Sequence, residues 1–441
     1  MMDRKPTNNT ATLSPFQLKP LRFARRLVFG LLALGFEPLA SADPTTAAAT
    51  NDTANQPSAQ HLDKAPARLA SYHSTLQNHE AEGPYHQNSS EVLYSLGLEL
   101  QKGGQHGKAL KALRRSMHIN RVNSGLNSLS QAPMLRSIIK SQKNLMRFEP
   151  VTTSYQQLLR MQMASYGKQD PRIAPLLNEL ALWHIDAYPF DESGKQIDHL
   201  TSANSLIAAA LKLNGAQTVP EPREQISLLR SAALISFHLS RHEGDVWSAS
   251  TDSHYSLSAD GFATTNPQRT GILTGASFRR GLICHQRIVA LTASIPDATL
   301  QEKLQAETEL ADWYLIFNRR KEAMVHYQQV LAGVSASEQA EALYAKLFST
   351  PQLLPAIRME NDKSTRGMLL MTAKVDISEK GWGSHIENVG EVLLSGQSPA
   401  TKNSLRYLMI DTIKGSRFRP QFVDNKPANV SDVRVEIPLI H

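Results

Sequence analysis

A single cysteine, Cys284, in 441 residues excludes an internal disulfide. It lies in the helical-looking stretch Leu282-Ile283-Cys284-His285, where a small buried hydrophobe is expected rather than a reactive nucleophile. Stability must therefore come from core packing. Aromatic residues are also scarce, at 6%, which suits helices packed through Leu and Ala better than a β-sandwich. Long apolar runs are missing as well. The run Leu27 to Phe36 is ten residues, short of the roughly 20 that a membrane-spanning helix needs. Apolar residues as such are not lacking: 41% of the chain is hydrophobic, 20% is charged, and the mean hydropathy is −0.32. That composition excludes global disorder and is enough for two or three domains.

Long runs of one charge are absent too. The formal charge is +7, but residues 1–42 hold six basic residues (Arg4, Lys5, Lys19, Arg22, Arg25, Arg26) against Asp3 and Glu37, which is +4 of that total. The remaining chain carries only +3 with no Lys/Arg run, a poor basis for nucleic-acid binding. The N-terminal bases have another reading. A basic stretch ending at Arg26, the apolar run, and Ala40-Ser41-Ala42 followed by Asp43 form the three-part layout of a cleavable secretory signal over residues 1–42. The alternative is an uncleaved single anchor, which Glu37 and Pro38 interrupt. Residues 43–85 are rich in Thr, Ala, Asn, Asp, Gln and Pro and are expected to be a disordered linker.

From Glu91 a helical period sets in. Leu93, Leu96, Gly97 and Leu100, then Ala109, Leu113 and Ser116, imply two helices joined by a turn at Lys102-Gly103-Gly104-Gln105. Gly97 and Ala109 let the two helices approach closely. This spacing resembles the tetratricopeptide repeat, a helix–turn–helix unit; Arg121 stands where that family usually has a helix-ending proline. Leu135, Ile138, Ile139, Gln142, Val151, Tyr155 and Leu158 give a degenerate second copy. Leu177, Leu180, Ala181 and His184, with Ala203, Ile207 and Ala210, give a third, delayed by the insertion Tyr188 to Gly194. Leu310, Ala311, Tyr314, Ala323, Tyr327 and Val330 give the clearest late copy, turning at Asn318-Arg319-Arg320-Lys321. Residues 223–242 and 273–293 read as further amphipathic helices, and 245–272 as a long loop. The expectation is a tetratricopeptide-like helical repeat domain over 86–350. Each helix pair buries a face on its neighbour, and no single repeat is stable alone.

After Pro351 the period changes to two. Leu369, Met371, Ala373, Val375 and Ile377 mark a strand, Ser378 to Gly381 a turn, and Ile386 to Leu394 a second strand. Leu405, Leu408, Met409 and Ile413 mark a helix ending at Gly415. Phe418 and Phe422 begin a third strand with Arg417, Arg419 and Gln421 opposite; Asp424 to Pro427 turns it. Val433, Val435 and Ile437 alternate with Asp432, Arg434 and Glu436 in the last strand. This β-β-α-β-β order over 366–441, with the helix running into Ser416-Arg417-Phe418-Arg419-Pro420, resembles the C-terminal domain of TonB-type energy transducers. The resemblance implies a small α+β domain after the mainly-α solenoid. It also implies a binding mode in which an exposed strand edge accepts a partner's extended peptide. The partner-binding residues so implied are Asp432, Val433, Arg434, Val435 and Glu436, with Arg417 and Arg419. The family role, an inner-membrane anchor coupling a motor complex to outer-membrane receptors, fits less well. The apolar run lacks a polar Ser/His pair, and a repeat domain stands where a Pro-rich spacer would be. The small domain could equally cap the solenoid.

Chemistry-bearing groupings are few. His238 and His242 lie four apart on one helix face, but the order is not His-Glu-x-x-His and only Asp245 offers a third ligand nearby. His184 is expected to be a packed core histidine. Gly103-Gly104 lacks the Lys-Ser/Thr of a phosphate loop, and there is no Gly-x-Ser-x-Gly elbow. Arg279-Arg280 and Arg319 to Lys321 are expected near helix ends, in favourable interaction with the dipole. No catalytic, cofactor or metal residues are therefore expected. The reading is a periplasmic protein-binding scaffold, not an enzyme, with protein partners of the cell envelope, an outer-membrane receptor or peptide among them. It takes no nucleic acid, and it contacts membrane only if the N-terminal segment is uncleaved. The alternative is an inner-membrane-anchored, TonB-like transport component facing the periplasm.

Overall fold

The computed structural model describes residues 65–145, 147–188, 196–218, 220–242, 276–355, 368–393 and 402–440. The signal segment, residues 43–64, and the loops at 189–194 and 245–272 lie outside them. The protein is mainly helical with a small C-terminal strand region. Among the described residues, no helix is long and apolar enough to cross a membrane.

The helical body runs α1 (Ala65–Glu82), α2 (Gln87–Lys102), α3 (His106–Ser124), α4 (Ala132–Asn144), α5 (Phe148–Tyr166), α6 (Ala174–Ala187), α7 (Gln196–Gly215), α8 (Pro222–Arg241), α9 (Ser277–Ser294), α10 (Leu300–Ile316), α11 (Arg320–Ser335) and α12 (Ala340–Phe348). Helix α1 corrects part of the linker expectation. Its composition is polar, but Leu69, Tyr72 and Leu76 fall at helical spacing and pack on the α2/α3 cluster, with Leu76 buried. Three apolar residues on one stripe suffice when a neighbouring helix face is there to receive them. Arg115 and Glu80 add an exposed ion pair at 2.5 Å, of small energetic weight.

Each helix packs on its chain neighbours. Helices α2 and α3 turn at Gly103 to Gln105, where the Gly103 N–H donates to the Glu99 carbonyl at 3.1 Å. Gly97 meets Leu113 so closely that a Cβ there would sit 2.6 Å from the leucine side chain. Helix α10 starts on a capping box: Thr299 Oγ1 accepts from the Glu302 N–H, and the Glu302 carboxylate accepts from the Thr299 N–H. Gly281 of α9 lies against Trp313 of α10; a Cβ there would come within 2.0 Å of the ring. Trp313 is buried and its Nε1 donates to the Phe278 carbonyl at 3.0 Å, so the ring has nowhere to move.

These two contacts give a ranked prediction. Exchanging a helical Gly for Ala gains about 1 kcal/mol of propensity, while overpacking costs about 1–3 kcal/mol. Gly97→Ala, whose Cβ would meet both Cγ and Cδ2 of fully buried Leu113 at 2.6 Å, should also destabilise, but by less than Gly281→Ala because a leucine yields more readily than an indole ring. Gly281→Ala should be clearly destabilising, by about 2 kcal/mol. Equal effects of the two in chemical denaturation would contradict the packing described.

The C-terminal region holds β1 (Gln352–Leu354), β2 (Met368–Ile377), β3 (Gly383–Leu393), α13 (Lys402–Gly415), β4 (Arg417–Arg419), β5 (Gln421–Val423), β6 (Lys426–Ala428) and β7 (Val430–Ile440). The main sheet has the order β3-β2-β7, all antiparallel. Met371, Ala373, Val375 and Ile377 of β2 are buried with Val435 of β7 and with Met409 and Ile413 of α13, so the helix covers one face. The expected strand through Phe418 and Phe422 is two short strands broken at Pro420. β4 pairs with β1, and β5 pairs with β6 through a two-residue turn in which Asp424 and Asn425 have φ 50 and 62. Asp and Asn tolerate this left-handed pair, which a tight hairpin requires.

Candidate functional site

The segment Ser416 to Phe422 was expected to present basic side chains beside a binding edge. The structure buries it instead, between the two parts of the protein. Phe418 points into the C-terminal core, and Phe422 joins Tyr327 and Phe348 in the cluster of the last helices. Arg419 is 4% exposed. It grips Asp312 of α10 with both ends of its fork, Nε to Oδ1 at 2.9 Å and Nη2 to Oδ2 at 2.5 Å. Its Nη1 donates to the Leu347 carbonyl at 2.9 Å, and the Tyr327 hydroxyl donates to Asp312 Oδ1 at 2.6 Å. All three guanidinium nitrogens thus have acceptors, the condition under which a buried ion pair is tolerated. The aspartate and tyrosine hold the Arg419 guanidinium above its ordinary value against burial. Burial first, then the Asp312 charge, pushes the Tyr327 phenol well above the usual range. The Tyr344 hydroxyl donates to the Phe422 carbonyl. Arg419 is therefore a joint residue and is removed from the set of partner-binding candidates.

Arg417 is also mostly covered. Its guanidinium lies over the Trp382 ring and donates to Asn318 Oδ1 at 3.2 Å. Trp382 sits in the β2–β3 turn, which is pressed against β4. Gly381, at φ +75, accepts from the Phe418 N–H at 2.9 Å, and a Cβ there would lie 2.3 Å from the Phe418 carbonyl oxygen. Only glycine fits. Ser240, Arg241, Phe317, Asn318, Trp382 and Arg417 line a pocket of about 320 Å3 between the helical body and the strand region.

Among the described residues, β7 is an edge strand with β2 on one side only. Of its expected contact residues, Asp432, Arg434 and Glu436 are exposed, Val433 is half-buried and Val435 is buried. Val435 lies opposite Ala373, and Val433 opposite Val375, both in the core. A partner could meet the three polar side chains and the outer main chain, but not the Val435 side chain. The register slips between Val375 and Ile377, and there Asp432 has φ 57 with its N–H donating to Asp376 Oδ1 at 3.0 Å. That irregularity twists the start of the edge.

The remaining candidates do not converge. His238 is buried, and desolvation lowers its imidazole to about 4. His242 Nδ1 meets the Tyr188 hydroxyl at 3.0 Å, and burial lowers it too. Among the described residues, no group of three His, Cys, Asp or Glu side chains is placed to hold a metal ion. His184 is buried with its Nδ1 3.0 Å from that of His199. Burial raises the Cys284 thiol to about 11, so no thiolate nucleophile forms near neutral pH. The basic clusters correct an expectation. Arg279-Arg280 and Arg319 to Lys321 fall at the starts of α9 and α11, the end of the dipole that disfavours cations. Contacts hold them instead: Arg280 on Asn204, Arg319 over the Phe278 ring at 4.3 Å, and Arg320 on Glu379 at 3.2 Å.

Asp312, Tyr327 and Trp382 complete this region, and the sequence reading gave none of them a role at a joint. A signal existed for the first: Asp312 is an acid between Ala311 and Trp313 on a helix whose both neighbours are buried.

No family model and no curated protein matches the chain. Among solved structures, the chain is similar to the crystal structure of BtubC (BKLC) from P. vanneervenii, at 13% identity and TM-score 0.39 over 68% of this chain and 99% of that one.

Proposed function

We propose that this protein is an exported scaffold of the cell envelope and not an enzyme. In this reading, tetratricopeptide-like helix pairs form a solenoid whose groove holds a protein partner. A TonB-like C-terminal unit offers β7 as an edge for an extended peptide. The observation that carries the reading is the placement of β7: a long strand, paired on one side, with polar side chains Asp432, Arg434 and Glu436 outward. Unpaired main-chain groups on such an edge give affinity without chemistry. Helix packing supports the repeat part. Helices follow one another in chain order, and first helices of successive pairs also touch, α2 with α4 and α6 with α8. That is how stacked helix pairs bury a continuous core.

A specific observation favours a second role for the C-terminal unit, as the end cap of the stack. Leu354 and Phe422 complete the last helical cluster, and Arg419 neutralises a buried aspartate there. The two roles are compatible, since the cap fixes the edge relative to the groove. Export is tested by sequencing the N-terminus of the mature protein. A start at Asp43 is expected; an intact N-terminus in the membrane fraction would instead support the anchored, energy-transducing alternative.

Binding at the edge is tested by hydrogen exchange. Incubation with a partner captured from an envelope extract should slow exchange of main-chain amides in 430–440. Unchanged exchange there with a saturating partner would remove the edge from the account.

A further inference from the structure

We propose that the pocket between the helical body and the strand region binds a small oxyanion, a carboxylate or a phosphate, on the Arg417 guanidinium. The pocket is lined by side chains from α8, from the α10–α11 turn, from the β2–β3 turn and from the start of β4. Its volume of about 320 Å3 is at the small end of ligand sites. Three of its features suit an oxyanion. The Arg417 guanidinium lies over the Trp382 ring, which limits its movement. One of its N–H groups bonds Asn318 Oδ1, and the other donors have no acceptor among the described residues. The Asn318 amide, which lines the pocket and accepts from Arg417 through Oδ1, keeps its own NH2 as a further donor.

The electrostatics agree. Among the described residues, no carboxylate acts on Arg417. Burial, and then the positive charge of Arg241 across the pocket, lower it to about 10. An anion on the Arg417 guanidinium would offset both its burial and that repulsion. A competing account exists. Helices α8, α10 and α13 end at this pocket, and their carbonyl ends attract cations. If that is all the arginines do, oxyanions have no site here.

Calorimetry on the full-length protein separates the two. Glutarate and inorganic phosphate are titrated in turn, against chloride at matched ionic strength. Saturable binding of one or both at millimolar or better affinity is expected, with a rise in melting temperature that chloride does not reproduce. Arg417→Gln should weaken that binding by about tenfold or more, the loss of a bidentate charged contact. Arg417→Lys, which keeps the charge but not the fork, should weaken it several-fold and serves if the Gln variant does not fold. The tighter of the two anions names the ligand class. No saturable binding of either anion, the same response to chloride, or unaltered affinity in the folded Arg417 variants would overturn the proposal. None of these outcomes bears on the β7 edge, so this site and the scaffold reading fail independently.

Discussion

Replacing Asp312 by Ala should destabilise the protein by about 3–5 kcal/mol, the cost of leaving a buried charge without its partner. Arg419 is the charge left behind, 4% exposed and with two nitrogens then lacking acceptors. Arg419→Met should cost a similar amount by stranding the carboxylate. The double change Asp312→Ala with Arg419→Met should cost less than the two single changes together, because it removes both desolvated charges at once. Tyr327→Phe should cost about 1.5–3 kcal/mol, one hydrogen bond to a charged acceptor. Denaturant midpoints of the full chain measure all four. A double variant as unstable as the sum of the singles would mean that the pair does not act as a unit. In the proposed scaffold, the joint sets where the β7 edge stands relative to the helical body.

The second large effect is a loss of stability on acidification, centred on His238. Its imidazole is 4% exposed and titrates at about 4 in the folded protein, against about 6.5 in an unfolded chain. Above the unfolded value both states are neutral and the full stability is present. As pH falls from about 6.5 to about 4, the unfolded chain takes up a proton that the folded protein refuses, and stability drops. The shift is worth about 3 kcal/mol in total. Below about 4 both states are protonated and this loss stops. His285, packed on Trp313 and also lowered to about 4 by burial, adds to the slope. Its side chain is partly exposed, so its share is smaller. His238→Gln should flatten the stability profile between pH 4 and 6.5 without changing its shape above 7. A variant with the wild-type slope would show that His238 is protonated in the folded protein.

Periodicity made much of the fold legible. Gly97 against Leu113, the Asn318 turn, and the alternation of Met371 to Ile377 are all local patterns whose partners lie close in the chain, and the structure has each of them. What local pattern could not supply was long-range pairing. Arg417 and Arg419 alternate with Phe418 as an amphipathic strand would, and alternation alone says that one face is wet. The wet face is dry because α10 places Asp312 there, 107 residues earlier in the chain. Short β1, opposite β4, was missed for the same reason: three residues hold no period, and only their partner defines them. Helix α1 was hidden differently. Its average composition is polar, and three apolar residues on one stripe outweigh that average only once a packing surface is known. The β7 edge depends on strand order, and it was reached through the TonB-type resemblance and not through the pattern of the strand itself. The burial of Val435 was not legible, because a side chain on an edge strand can still point into the core.

The most direct test of the account is hydrogen exchange of the full-length protein, alone and saturated with a partner captured from an envelope extract. The account predicts slowed amide exchange in residues 430–440 and along the helical pairs, with Asp312 and Arg419 variants losing the β7 protection as the joint loosens. A saturated complex with exchange in 430–440 identical to that of the free protein would contradict it.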